Sequence, residues 1–164
     1  MSQEKHTIVA LVADRPGVLN RVASLFRRRG FNIDSIAVGQ TEKKGVSRMT
    51  MVVTGDAATI EQVRKQLDKV IDVIKVSDLI TESTVERELA LIKVKANSEN
   101  RSAIMQIVDI FRANIVDVAR ESVTVEVTGD EDKIASLLNL LGDFGVKELA
   151  RTGRLAMTRG TILP

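Results

Sequence analysis

Apolar residues recur along this chain in two rhythms. Ile8–Ala13 is a short apolar run with the length and composition of a buried strand. From Val18 to Phe26 the spacing changes, and Leu19, Val22, Leu25 and Phe26 fall on one face of a helix. Strand-like runs follow at Ile33–Val38 and Val46–Val53. A second helical stripe holds Ile60, Val63 and Leu67, and another short apolar strand lies near Val70–Val76. The succession then repeats. Leu89–Val94 reads as a strand, and Ile104, Ile107, Val108 and Phe111 as a helical stripe. Ile115–Val118 and Val123–Val127 read as strands, Ile134, Leu137, Leu138 and Leu141 as a stripe, and Val146–Leu149 as a last strand.

The repeat has a fixed offset. Thr54-Gly55-Asp56 and Thr128-Gly129-Asp130 stand 74 positions apart, each after a strand and before a helix. Each half therefore reads βαββαβ, which closes as a four-stranded antiparallel sheet with two helices on one face. The expected fold class is α+β with two ferredoxin-like domains, over residues 1–79 and 85–164. The division falls near Leu79–Val85, where Thr81-Glu82-Ser83-Thr84 is short and polar. One larger α/β domain is the alternative, and the matched offset argues against it.

The two halves differ at their first helix. Asp14-Arg15-Pro16-Gly17-Val18-Leu19 joins strand to helix in the first half. Proline suits a first helical turn, where its missing N–H would have no partner. Gly17 lacks a Cβ, so a ligand can approach the backbone, and the helix dipole favours a carboxylate or phosphate there. The second half uses Asn97-Ser98-Glu99-Asn100-Arg101, which can cap a helix but has no Pro-Gly. A ligand site is therefore expected in the first half.

Composition narrows the chemistry. Of 164 residues only four are aromatic, all Phe, so the core is aliphatic. Lys and Arg number 24 against 22 Asp and Glu, a balance that argues against a nucleic-acid surface spread over the protein. With no Cys, thiol chemistry and disulfides are excluded. Met1-Ser2-Gln3-Glu4-Lys5 is polar and lacks a signal segment, and no apolar run has membrane-spanning length. The expectation is a soluble cytoplasmic protein.

Catalysis is not expected. His6, the only histidine, lies at the start of the first strand, where a solvated strand end explains it better than a general base. No metal-ligand spacing occurs. Asp14, Asp34 and Asp56 sit at turns and strand ends, where backbone capping accounts for them. Gly55-Asp56 and Gly129-Asp130 are turns, not a phosphate loop. RNA-recognition modules share the βαββαβ topology but stack bases on strand aromatics, and Val46–Val53 has none. Arg27-Arg28-Arg29 lies at a helix C-terminus, where the dipole favours cations. Arg151, Arg154 and Arg159, with Gly153 and Gly160, give a basic tail that reads as mobile or partner-dependent.

A small zwitterionic ligand fits what is left. The Gly17 and Val18 amides can hold a carboxylate. Asp14 either accepts from an ammonium group or caps the turn, and Asn32 either offers its amide to a ligand or serves as a turn residue.

These residues resemble a family. Asp14–Leu19 is similar to the ligand loop of ACT domains, small regulatory amino-acid-binding modules. Arg28-Arg29-Gly30-Phe31-Asn32-Ile33-Asp34-Ser35-Ile36, Ser47-Arg48-Met49-Thr50, Val85-Glu86-Arg87-Glu88-Leu89, Ile110–Val118 and the tail around Ala150–Gly153 and Thr158–Gly160 resemble the regulatory small subunit of acetolactate synthase. The resemblance implies a first domain of ACT type and a chain with no catalytic residues, metal or cofactor of its own. It implies a catalytic large subunit as partner, carrying thiamine diphosphate, FAD and magnesium, and condensing pyruvate with a second 2-oxoacid on the way to valine, leucine and isoleucine. It further implies that the small subunit raises activity and confers feedback inhibition by valine. Its ACT domains pair side by side in a homodimer, and the ligand lies between Asp14, Gly17, Val18, Leu19 and Asn20 of one chain and Asn32 and Ile33 of its mate. Several members carry Asn where this chain has Asp14, so the preferred amino acid stays open. A free-standing ACT sensor for another enzyme is the alternative within the class, and an RNA-binding module the alternative outside it.

Overall fold

The computed structural model describes residues 2–160. The elements are β1 (Glu4–Ala13), α1 (Val18–Arg29), β2 (Ile33–Gln40), β3 (Val46–Gly55), α2 (Ala57–Asp68) and β4 (Val73–Asp78), then β5 (Thr84–Lys95), α3 (Arg101–Ile110), β6 (Asn114–Val118), β7 (Ser122–Gly129), α4 (Glu131–Gly142), β8 (Val146–Arg151) and β9 (Leu155–Thr158). Two compact units result. Among the described residues the first comprises 2–85 with 154–160, and the second is Glu86–Gly153. The α+β class and the doubled βαββαβ order agree with the sequence expectation.

In the first unit the strands lie in the order β2-β3-β1-β4, all neighbours antiparallel. Alternation assigns the two faces. Ile8, Ala10 and Val12 of β1 and Met49, Met51 and Val53 of β3 pack with Val22, Phe26, Ile60, Val63 and Leu67 of the helices. The second unit repeats this with order β6-β7-β5-β8 and a core of Ile92, Val94, Val125, Ile104, Ile134, Leu137 and Leu141.

Local chemistry explains the repeated Thr-Gly-Asp. Asp56 accepts the Thr59 amide at 2.8 Å, and Asp130 accepts the Lys133 amide at 2.9 Å, so each caps the helix that follows. The preceding glycine leaves room for that turn. A Cβ on Gly55 would come within 2.9 Å of Thr59 Cγ2, and one on Gly129 within 2.5 Å of Lys133 Cδ.

The C-terminus of α1 is equally well specified. Gly30 is left-handed (φ 69°), its N–H reaches the Arg27 carbonyl, and the Phe31 N–H reaches that of Phe26. This is a Schellman ending, completed by Phe26 and Phe31 in edge-to-face contact at 6.2 Å.

The structure departs from the sequence expectations in several places. β4 begins at Val73 because Val70 sits in a turn, its N–H on Leu67 and its carbonyl taken by Val73. Leu19 belongs to the predicted stripe yet is 48 % exposed. Leu138 is half-buried at the margin of the second core, and Leu137 takes the buried position.

The tail differs most. Residues 85–164 were expected to form one domain, but the chain returns to the first unit at Arg154. Three contacts hold it there. Ala156 is buried with Val9 and Leu79, the Arg154 guanidinium donates to Thr7 Oγ1 at 3.0 Å, and Arg159 donates its amide to the Ser83 carbonyl at 2.7 Å. Arg151 stays in the second unit, where it grips the buried Glu88 with Nε at 2.5 Å and Nη2 at 3.0 Å. The basic residues of the tail are thus structural partners within the chain.

Candidate functional site

The site is built around the β1–α1 loop. Strand β1 ends where the Ala13 N–H meets the Asp72 carbonyl (2.8 Å) and the Asp14 N–H meets that of Gly45 (2.9 Å). Gly17 then takes a left-handed conformation, φ 86° and ψ −7°, which glycine adopts without strain. It forms the N-cap of α1, and no side chain caps that helix. The Val18 amide makes one long bond, 3.4 Å, to the Arg15 carbonyl. Among the described residues no partner is found for the Gly17, Leu19 and Asn20 amides. The loop therefore presents N–H donors at the positive end of a helix dipole.

Charge around the loop is arranged by Asp72. This carboxylate is 6 % exposed; Oδ2 lies 2.5 Å from Arg21 Nη2 and Oδ1 lies 4.0 Å from Arg15 Nη1. Arg21 is the residue a Cβ on Gly17 would touch, with Nη1 at 3.3 Å. A buried carboxylate thus fixes one guanidinium against the underside of the loop, while the mostly exposed Arg15 adds positive charge outside it. Both favour an approaching carboxylate.

Asp14 does not cap α1. Its Oδ2 accepts from Gln40 Nε2 at 3.0 Å, and Oδ1 has no partner among the described residues. That oxygen remains an acceptor for an ammonium group. Val18 is buried, so it offers only its amide, whereas the Leu19 side chain points away from the core.

Asn32 and Ile33 lie elsewhere. They follow the C-terminal end of α1, while the Gly17 loop precedes its N-terminal end. Twelve helical residues separate the two, roughly 18 Å at 1.5 Å per residue. Asn32 Nδ2 donates to Asp34 Oδ1 at 3.1 Å, Asp34 Oδ2 accepts from Thr54 Oγ1 at 2.5 Å, and Ile33 packs against the core. Side chains, not backbone capping, therefore account for Asp34. The seven predicted residues thus fall into two groups that one chain does not bring together. Ile33 opens β2 and Gln40, which holds Asp14, closes it, and β2 is an edge strand with one free side.

Sequence reasoning missed Asp72, Arg21 and Gln40. Arg21 carries a faint signal, four residues after the glycine it underlies. Asp72 and Gln40 carry none, since their partners are distant along the chain. His6 was expected to be solvated. It is buried, with Nδ1 3.0 Å from Asp78 Oδ2, and Asp78 Oδ1 also accepts the Ile80 amide. The lone histidine fastens β1 to the end of β4.

Comparison with known proteins settles the family. A model described as the AHAS small subunit-like ACT domain matches residues 8–75, and one described as the small subunit of acetolactate synthase matches residues 87–160. The probable acetolactate synthase small subunit of Archaeoglobus fulgidus is 60 % identical over 156 residues, covering 95 % of this chain and 98 % of the relative. The chain belongs to the acetolactate synthase small-subunit family. The acetolactate synthase small subunit of Mycobacterium bovis is 52 % identical over 160 residues, 98 % of this chain and 95 % of that one. A crystal structure of the acetolactate synthase small subunit from Thermotoga maritima superposes with a TM-score of 0.88 at 46 % identity, covering 97 % of this chain and 99 % of that one. Family membership makes this chain a regulatory subunit that partners a catalytic one, and its first unit an ACT domain. Among the described residues no helix is long and apolar enough to cross a membrane.

Proposed function

We propose that this subunit senses valine at an interface between two copies of its ACT domain, activates the catalytic large subunit, and inhibits it when valine is bound. The carrying observation is the separation of the candidate residues to opposite ends of α1. A two-fold related copy, set antiparallel along the free side of β2, brings Asn32 and Ile33 of one chain to the Gly17 loop of the other. The open amides then take the ligand carboxylate with Arg15 nearby, and Asp14 Oδ1 takes the ammonium. Leu19 and Ile33 offer an aliphatic side chain apolar contact.

Energetics limit the effect. A ligand of roughly eight heavy atoms contributes at most about 1.5 kcal/mol per atom, and coupling between sites is typically ~1–3 kcal/mol. That range turns activity down several-fold by shifting the arrangement of the pair, with no refolding.

Calorimetric titration with valine, with isoleucine, leucine and lysine as comparators, tests the reading. Saturable valine heat at one site per chain or fewer is expected. Gly17→Asp places a carboxylate where the ligand carboxylate binds, so it should abolish the heat while activation of the catalytic subunit persists. Unchanged valine affinity in that variant removes the loop from the site.

A further inference from the structure

The sheet of the first unit has a second face, away from its helices. Thr7, Val9 and Leu11 of β1 lie there opposite Val52, Thr50 and Arg48 of β3. β9 crosses this face, fastened by the buried Ala156, whose carbonyl accepts from Arg48 Nη2 at 2.6 Å. Between β9 and the β2–β3 hairpin lies a cavity of about 420 Å³, within the range of small-molecule sites. Leu11, Val46, Leu155 and Met157 give it apolar walls.

Its charge is unbalanced. Arg48 is half-buried, and burial depresses the pKa of its guanidinium. Its hydrogen-bond partner is a neutral carbonyl, and no carboxylate lies within ion-pair distance among the described residues. Glu42, also on the wall, acts on Arg48 only from further away, and Lys43 at the rim has no ion pair among the described residues. Two cations against one anion leave a net positive wall. A half-buried cation of this kind gains from a bound anion. The floor adds a polar group, since Thr50 is 1 % exposed and its Oγ1 has no partner in the structure.

We infer that this cavity is a second ligand site, distinct from the Gly17 loop, and that it takes a small aliphatic monocarboxylate. The carboxylate lies on Arg48, and the hydrocarbon body lies between Leu11, Val46 and the β9 side chains. The site needs only one chain, because every lining residue belongs to the first unit.

Titration of the full chain with hexanoate, and separately with hexan-1-ol and hexylammonium, tests this. Saturable hexanoate binding is expected, at least tenfold tighter than for either control. Arg48→Met should weaken it at least tenfold. Because Arg48 also holds β9, Leu155→Ala provides a second variant that removes an exposed apolar wall without touching the Ala156 seat, and it should weaken hexanoate several-fold. Gly17→Asp should leave hexanoate affinity unchanged. Absence of saturable binding, equal affinity for hexan-1-ol, or affinity indifferent to both cavity variants overturns the inference. Loss of hexanoate in Gly17→Asp also overturns it, by placing the anion at the loop. Absence of valine heat in the unmutated chain, with hexanoate binding retained, would count against the loop reading and not against the cavity.

Discussion

The two units share a scaffold and differ in what they leave open. Both begin their second helix with the same Asp cap after the same crowded glycine. At the first helix they diverge. α1 starts at a left-handed glycine with no side-chain cap. Before α3, Asn97 Oδ1 takes the Glu99 and Asn100 amides at 2.9 and 3.0 Å, and the Arg101 guanidinium reaches across to the carbonyls of Ala119 and Arg120. One loop leaves its donors open, and the other uses them within its own unit. The sheet faces away from the helices differ as well. In the first unit the middle of that face is buried, at Thr7, Val9, Thr50 and Val52. In the second it carries Lys93, Glu126 and Glu148, with Lys93 and Glu148 paired at 2.7 Å. A duplicated fold keeps its framing residues and changes its loops and outer faces, where function resides.

Core truncation gives the sharpest test of that division. Leu67 and Leu137 are both fully buried, one in each core. Either Leu→Ala change should cost about 2–5 kcal/mol. Leu67→Ala should erode valine binding along with the stability of the first unit. Leu137→Ala should lower a thermal transition of the second unit and spare valine heat at low temperature. Equal loss of valine binding in both variants would show that the ligand site depends on the second unit.

These comparisons also show what was legible in the chain. Periodicity reports which side chains face a core, so the stripes, the doubled order and the Thr-Gly-Asp repeat could be read directly. Leu19 and Leu138 were misjudged because a stripe has edges, and periodicity does not mark where burial stops. The Gly17 loop was visible because its chemistry is local. Asp72, Gln40 and the seat of β9 were not, because their partners lie far along the chain: Gln40 bonds Asp14, and Arg48 bonds Ala156. Such pairings depend on the completed fold and leave no trace in composition or spacing.

A smaller effect tests whether the shared caps contribute to stability. The Thr59 amide, followed by its hydroxyl, holds the Asp56 carboxyl below its ordinary 3.8. A depressed carboxylate pKa stabilises the fold above the ordinary value, and that contribution fades as pH falls through the folded value. Asp56→Asn keeps a capping oxygen but does not titrate. The stability advantage of the parent over Asp56→Asn should therefore hold above about pH 5 and shrink as pH falls past 3.8 and through the lower folded value. An advantage independent of pH would show that the charge of Asp56 has no part in the cap.

The smallest expected effect concerns the brace behind the ligand loop. Gln40 ends β2 and holds Asp14 Oδ2, while the Asp14 amide bonds Gly45 on the same hairpin. The β2–β3 connection spans residues 41–45; its counterpart spans only 119–121, closed by the Ala119 amide on the Ser122 carbonyl. The shorter turn meets its own loop through backbone carbonyls alone: Glu121 accepts the Ala96 amide at 2.9 Å, and Ala119 and Arg120 accept from Arg101 Nη2 at 2.9 and 3.1 Å. Gln40→Leu should thus have a consequence only for the open loop. A net hydrogen bond contributes about 0.5–1.5 kcal/mol, so valine affinity should fall roughly two- to tenfold, with little change in thermal stability. If affinity rises instead, Gln40 competes with the ligand ammonium for Asp14, and the hairpin restrains the site where the present geometry has it preparing the site.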